Sequence, residues 1–202
     1  MTSSTGADST RDRIVAAARA EFSRYGIAGA RIDRIAKAAK TSKERLYVYF
    51  RSKEALYRFV AEQEMAAVAE ATRLDPTDLP EYAGRVHDYF LRHPDGFRLM
   101  HWGRLEFAGS AADAATGETV RRKVEQLRKA QEAGYLDPAW EPIDILVFVN
   151  QIAMAWPGQL DLVDAADGQV RDPSLPARRA AVVAAVQRLF PATAHDTTDG
   201  TG

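Results

Sequence analysis

An all-α fold is predicted, a small three-helix head followed by a larger helical body, and three observations carry it. In the first 60 residues apolar side chains recur three and four positions apart, the spacing that gathers them on one face of a helix. Beyond residue 75 the chain is cut by proline and glycine into stretches of helical length, with no strand among them. Charge is polarised: residues 1–60 hold 13 Lys+Arg against 6 Asp+Glu, net +7, and residues 61–202 hold 14 against 22, net −8. A basic head on an acidic body suits attraction to phosphate at one end only.

Composition bounds what the chain can do. Its 202 residues exceed one typical domain and fall short of two large ones, and 46% hydrophobic residues can bury a sizeable core. Cysteine is absent, which excludes disulfides, thiolate zinc sites and thiol nucleophiles. The apolar stretch IVAAARA follows Arg11 and Arg13 and is broken by Arg19, so no secretory segment is expected. The longest apolar run, ILVFV at 145–149, is too short to span a bilayer. The expectation is a soluble, cytoplasmic chain with no membrane partner. No catalytic set is visible either: the four histidines lack metal spacing, and neither a Gly-rich phosphate loop nor a Gly-x-Ser-x-Gly elbow occurs. Catalytic residues, metals and cofactors are therefore not expected, and an enzyme is not.

Taking the chain in order, residues 1–9 are small and polar and are expected to form a disordered arm. Ser9 with Asp12 reads as a capping box opening a helix that buries Ile14, Ala17, Ala18 and Phe22, until Gly26 supplies a left-handed stop. A second helix buries Ile32, Ile35, Ala36 and Ala39. Thr41 with Glu44 forms a further capping box, so a third helix begins near Ser42; Leu46 and Phe50 share its inner face, leaving Lys43, Glu44, Tyr47 and Tyr49 wholly or partly outside. Ser52 caps a long helix carrying Leu56, Phe59 and Val60 inward and ending near Leu74, before Asp75-Pro76. Two short helices joined by a tight turn, the second with a polar outer face, make the helix-turn-helix arrangement whose second helix enters the major groove of DNA.

The residues of that motif, IDRIAKAAKTSKERLYVYFRSKEAL, resemble the DNA-binding heads of TetR-type transcriptional repressors, densely so in SK, LY, YF and SKEAL. The resemblance covers about the first quarter of the chain and implies a ligand-responsive repressor that binds a palindromic operator in double-stranded DNA as a homodimer. It matches Lys43, Tyr47, Tyr49 and Lys53 to positions that contact DNA in that family, mostly at phosphates, and Arg31 to a position where a Thr often holds a phosphate. With Thr41, Ser42, Glu44 and Arg45 these make up the candidate DNA-binding set. Tyr47 has a second reading, packing beneath the recognition helix. Arg11 and Arg13 either approach a phosphate or are simply solvated.

The chain departs from the family pattern at several of these positions. Lys40 and Thr41 stand where Gly and Val are usual, Glu44-Arg45 replaces a small pair, and Val48 replaces a common His. A non-glycine residue in a left-handed turn carries strain. Arg45 is the side chain best suited to a bidentate grip on guanine, and Val48 has the chemistry to touch a thymine methyl. Glu44 either accepts from a cytosine amino group or serves the cap alone.

The body, residues 53–190, reads as four or five more helices, with EYAGRVHDYFLRH after Pro80, PDGFRLMHWGRLEFA from Pro94 and ETVRRKVEQLRKAQEAG after Gly117. GSAADAATG is expected to be a loop, and GYLDP at 134–138 a turn. Aromatic and polarisable residues concentrate here, either filling a core or lining an apolar effector pocket with a few polar anchors. The candidate ligand set is His87, Phe90, His101, Trp102, Arg104, Asn150, Gln151 and Met154. The helix at 142–156 is apolar almost all round and that at 178–190 is rich in Val and Ala, so both are expected to pack against a second copy of the chain. The head is placed at 10–52 and a disordered tail at 191–202. Two other classes fit the body taken alone: a regulator without an effector, and a helical small-molecule-binding protein or enzyme that reads no operator.

Overall fold

The structure is a computed structural model that describes residues 5–106 and 114–191. Every regular element among them is helical: α1 (Thr5–Gly29), α2 (Ile32–Ala38), α3 (Lys43–Tyr49), α4 (Lys53–Ala71), α5 (Leu79–Arg92), α6 (Pro94–Glu106), α7 (Ala114–Glu132), α8 (Pro142–Ala153), α9 (Asp161–Ala165) and α10 (Leu175–Leu189). The described residues divide into two compact units, one drawn from residues 1–67 and 93–112, the other from 68–92 and 113–202. The division falls inside α4, not at residue 52, and α6 belongs with the head.

In the first unit Ile14, Ala18 and Phe22 of α1, Ile35 of α2, Leu46 of α3, Leu56 and Val60 of α4 and Leu99 of α6 form one buried cluster. The helical spacing of those residues is what brings them to one centre. Tyr57 joins it edge-on to Phe22, and its hydroxyl donates to the Leu99 carbonyl at 2.8 Å. Burial, with Glu106 nearby, pushes the Tyr57 phenol up to about 12. Arg19 and Glu64 form a second tie at 2.7 Å, with the carboxylate buried.

Several expected boundaries move. Ser9 is not a cap, because α1 already runs from Thr5; residues 5–9 are helical rather than an arm, and residues 1–4 lie outside the described residues. Small polar residues do not forbid helix when a long, well-packed helix propagates backward through them one hydrogen bond at a time. Gly26 has the positive φ expected of it, +66°, but its ψ of −175° is not the left-handed stop, and a last turn follows to Gly29. That turn's Ile27 and Ala28 N–H groups donate to the Glu106 carboxylate at 2.8 and 2.9 Å. A Cβ at Gly26 would lie 2.5 Å from that carboxylate and 2.9 Å from the Trp102 ring, so the kink needs glycine twice over.

In the second unit α5 packs against α8 and α10, and α7 packs against α8. Leu79, Tyr82, Val86, His87 and Phe90 of α5 are buried there with Ile145, Leu146, Val149 and Ala153 of α8 and Val182 and Val186 of α10. Asp78 caps α5, accepting from the Glu81 N–H at 3.0 Å. Arg179 of α10 donates to Asp88 at 2.9 Å and Glu81 at 2.8 Å across Gly84, where a Cβ would stand 2.7 Å from the guanidinium. α7 starts at Ala114, so Gly117 lies inside the helix; a single interior glycine costs only about 1 kcal/mol against alanine, which a 19-residue helix absorbs. Residues 114–117 of the expected loop are thus helical, and 107–113, with Phe107, lie outside the described residues. Residues 154–156 form a turn after α8, α10 begins at Leu175 behind a Ser174 cap, and α9 is an element the sequence did not suggest. Of the expected tail, 192–202 lie outside the described residues.

Candidate nucleic-acid interface

The first unit builds its outer face around the turn between α2 and α3. The Lys40 N–H returns to the Lys37 carbonyl at 3.2 Å and the Thr41 N–H to the Ala36 carbonyl at 3.0 Å, the paired bonds of a Schellman ending. Lys40 occupies the position that ending usually gives to glycine, with φ +53°. Arg13 of α1 donates its Nε to the Ala39 carbonyl at 3.0 Å and an Nη to Thr10 at 3.1 Å, so α1 pins the turn. This settles Arg13 as a brace. Arg11 instead lies over the Phe59 ring, 4.3 Å from its centroid.

The cap of α3 is Ser42, one residue later than expected: its hydroxyl accepts from the Arg45 N–H at 3.1 Å, because Thr41 has already spent its backbone on closing the turn. Glu44 bonds its own backbone N–H and the Ser42 hydroxyl, and these bonds hold its carboxyl below the usual range. Glu54 does the same at Ser52, where Ser52 accepts from the Ala55 N–H at 3.0 Å and caps α4.

Seven residues make α3 about 10 Å long, a fit to the major groove. Leu46 is fully buried and Phe50 nearly so, which fixes the helix by its inner face. Lys43, Glu44 and Arg45 are exposed, Tyr47 is 41% exposed and Val48 82% exposed. Tyr47 therefore does not pack away beneath the helix. Tyr49 is half-buried. Lys43 pairs with Asp33 at 3.2 Å, and Lys53 reaches the Ala30 carbonyl at 3.4 Å. The Arg31 side chain is exposed while its N–H donates to Glu21 at 2.9 Å, and that same carboxylate binds Arg34 at 2.6 Å.

The nine candidate DNA-binding residues thus lie along the start of α2, the turn, α3 and the start of α4, all in one unit. Sequence reading missed Arg13 as the pin of the turn, and the only signal for it was an arginine immediately before the buried Ile14 on a helix that must brace the motif.

The eight candidate ligand residues are not gathered in this way. His101, Trp102 and Arg104 ride on α6 in the first unit, with His101 and Arg104 exposed. His87, Phe90, Asn150, Gln151 and Met154 belong to the second. There His87 is fully buried, its Nδ1 3.3 Å from the Ala153 carbonyl and its Nε2 without a hydrogen-bond partner; burial pushes its pKa down, so the ring is neutral. Asn150 accepts from the Tyr82 hydroxyl at 3.2 Å, which in turn accepts from Lys123 at 3.0 Å. Phe90 and Met154 are buried, and Gln151 is exposed. Among the described residues no group of three or more His, Asp or Glu is placed to hold a metal ion, and no helix is long and apolar enough to cross a membrane.

Residues 14–60 match the family described as bacterial regulatory proteins, tetR family, and residues 78–188 match the tetracyclin repressor-like C-terminal domain. The HTH-type transcriptional repressor SCO4008 of Streptomyces coelicolor is 38% identical over 150 residues, 73% of this chain and 77% of that protein. The HTH-type transcriptional repressor NicS of Pseudomonas putida is 42% identical over 127 residues, 56% of this chain and 59% of that one. Among solved structures, the Streptomyces coelicolor protein SCO4942 is 58% identical and superposes with a TM-score of 0.82, covering 90% of this chain and 98% of its own. TylP of Streptomyces fradiae, at 21% identity and a TM-score of 0.60, covers 94% of this chain and 89% of its own and shares the fold.

Proposed function

The chain belongs to the TetR family of bacterial regulatory proteins, whose general function is ligand-responsive control of transcription through a DNA-binding helix-turn-helix, and from that premise we propose how its own residues divide the work. The α2–turn–α3 unit binds operator DNA: Arg31, Thr41, Ser42, Lys43, Tyr47, Tyr49 and Lys53 set the position on the phosphates, and Arg45 reaches base edges. Glu44 serves the cap. The observation that carries this is the outward face of α3, which leaves a cationic and aromatic set exposed while Leu46 is fully buried.

A homodimer forms through α8 and α10. Along α8, Ile143, Val147 and Phe148 stay more than 40% exposed although the same helix buries Ile145, Leu146, Val149 and Ala153. Leu175 and Leu189 are exposed on α10. An apolar face of this kind fits a second copy, and a two-fold dimer fits a palindrome. A small effector of partly aromatic or apolar character is held in the body, where buried Phe90 and Met154 supply apolar surface and His87 and Asn150 polar anchors, with Gln151 exposed on the same helix as Asn150. The effector acts by linkage, favouring a head separation that no longer fits the operator, with a coupling of about 1–3 kcal/mol. The protein works in the cytoplasm, where its DNA is.

Replacing Lys43 and Tyr47 by Ala tests the reading. The expected result is a loss of operator affinity of tenfold or more with unchanged helicity and dimer mass. Undiminished DNA binding by the double variant would refute it.

A further inference from the structure

We propose that Arg45 and Val48 are the pair that sets sequence preference, reading a guanine and the methyl group of a thymine one to two base pairs apart in each half-site; this rests on the operator-binding reading above. On the exposed face of α3 the other side chains are engaged or turned aside. Lys43 is paired with Asp33, and an ammonium ion is in any case a point charge suited to phosphate. Glu44, the residue type that would accept from cytosine, has its carboxylate turned back onto Ser42 and its own N–H. Leu46 and Phe50 face the core, and Tyr49 is half-buried. Tyr47 lies about 200° around the axis from Arg45 and about 100° from Val48, toward the flank of the helix.

Arg45 and Val48 remain, and they are neighbours. Three positions apart on a helix places them about 60° apart around the axis and about 4.5 Å apart along it, little more than one base-pair step. Arg45 is exposed, and its backbone N–H is held by Ser42, so the root of its side chain is fixed. Val48 is 82% exposed, though it is a β-branched apolar residue on a helix whose apolar needs Leu46 already meets. Among the described residues Val48 contributes little to the packing of the head. A thymine C5-methyl is the apolar feature of the major groove, and a guanidinium is the side chain matched to guanine O6 and N7.

The test takes the full chain, its selected operator and atom-level changes to the DNA. Replacing each thymine of the half-site in turn by deoxyuracil removes only the methyl. At one thymine the wild type is expected to lose about three- to fivefold in affinity, the value of one buried methyl group. V48A should bind the parent operator less well and be indifferent to that replacement. At a guanine within two base pairs, 7-deazaguanine removes N7; the wild type should lose fivefold or more, and R45A nothing further. Since both side chains are exposed and alanine is the better helix former, neither variant should lower the thermal midpoint. The inference is overturned if no thymine distinguishes wild type from V48A, or if the coupled guanine and thymine lie more than two base pairs apart. Failure of the wild type to select any palindrome would sink the operator reading as well; a palindrome without methyl coupling would sink this inference alone.

Discussion

Lys40 holds the turn between α2 and α3 at φ +53°. A side chain in the left-handed region costs about 1–2 kcal/mol, because its Cβ crowds the following carbonyl. Glycine removes that cost but gives the unfolded chain more freedom to lose, about 0.4–1 kcal/mol. The difference predicts that Lys40→Gly stabilises the fold by about 0.5–1 kcal/mol, since both Schellman bonds at the turn are main-chain and survive the change. For a chain of this size that is a rise of about 1–4 °C in thermal midpoint. Lys40→Asn should fall between the two, asparagine being the residue after glycine that best tolerates this region. Lys37→Gly is the control: it removes the same charge from an exposed site within α2, where a right-handed residue is replaced, and should cost about 1 kcal/mol. The assay is thermal unfolding followed by far-ultraviolet circular dichroism at one protein and salt concentration, because dimerisation makes the midpoint concentration-dependent. A Lys40→Gly midpoint at or below that of the wild type, with Lys37→Gly lowered, would refute the geometry of the turn.

Three further outcomes follow from the same structure. Gly26→Ala forces a Cβ against Glu106 and Trp102 at a positive φ and should destabilise by more than about 2 kcal/mol in denaturant titration, given strain and overpacking together. Glu106→Ala strips the acceptor from two N–H groups and should cost about 1–3 kcal/mol, while a full-sized loss from Glu106→Ala with none from Gly26→Ala would contradict the kink. His87 is buried neutral, so the folded state refuses a proton that the unfolded chain takes up below its ordinary pKa near 6.5. Stability should therefore hold above about pH 7 and fall as pH drops through 6.5 toward the lowered folded value; in His87→Asn this part of the slope between pH 7 and 5 should vanish.

The helices of the head were legible because their signals are local. Ile32, Ile35 and Ala36 repeat at helical spacing, and Ser52 is a cap with a carboxylate in the first turn behind it. The Thr41-Ser42 pair shows the limit: of two adjacent hydroxyl residues only Thr41 stands at capping-box spacing from Glu44, yet Ser42 is the cap, because the chain reversal at Lys40 engages the Thr41 backbone. Gly117 and Ser9 misled for a related reason, since a breaker or cap acts only where the surrounding helix is too weak to continue through it. The place of α6 was not legible at all. Its sequence reads as one more body helix, and only the partners it finds in the first unit, Tyr57 at Leu99 and the 27–28 turn at Glu106, assign it to the head. The candidate ligand residues were chosen by type, and type says nothing about which helix face or which unit a side chain joins.

A dimer of this chain is expected to present two copies of α3 to successive major grooves. Selection of bound duplexes from a random library at about 0.15 M salt, where non-specific phosphate attraction is weak, tests it most directly. The expected result is a palindromic consensus with half-site centres about 34–36 Å or a multiple of it apart, lost in the Lys43→Ala, Tyr47→Ala variant. Enrichment of no sequence, or of a lone half-site bound by a monomer, would contradict it.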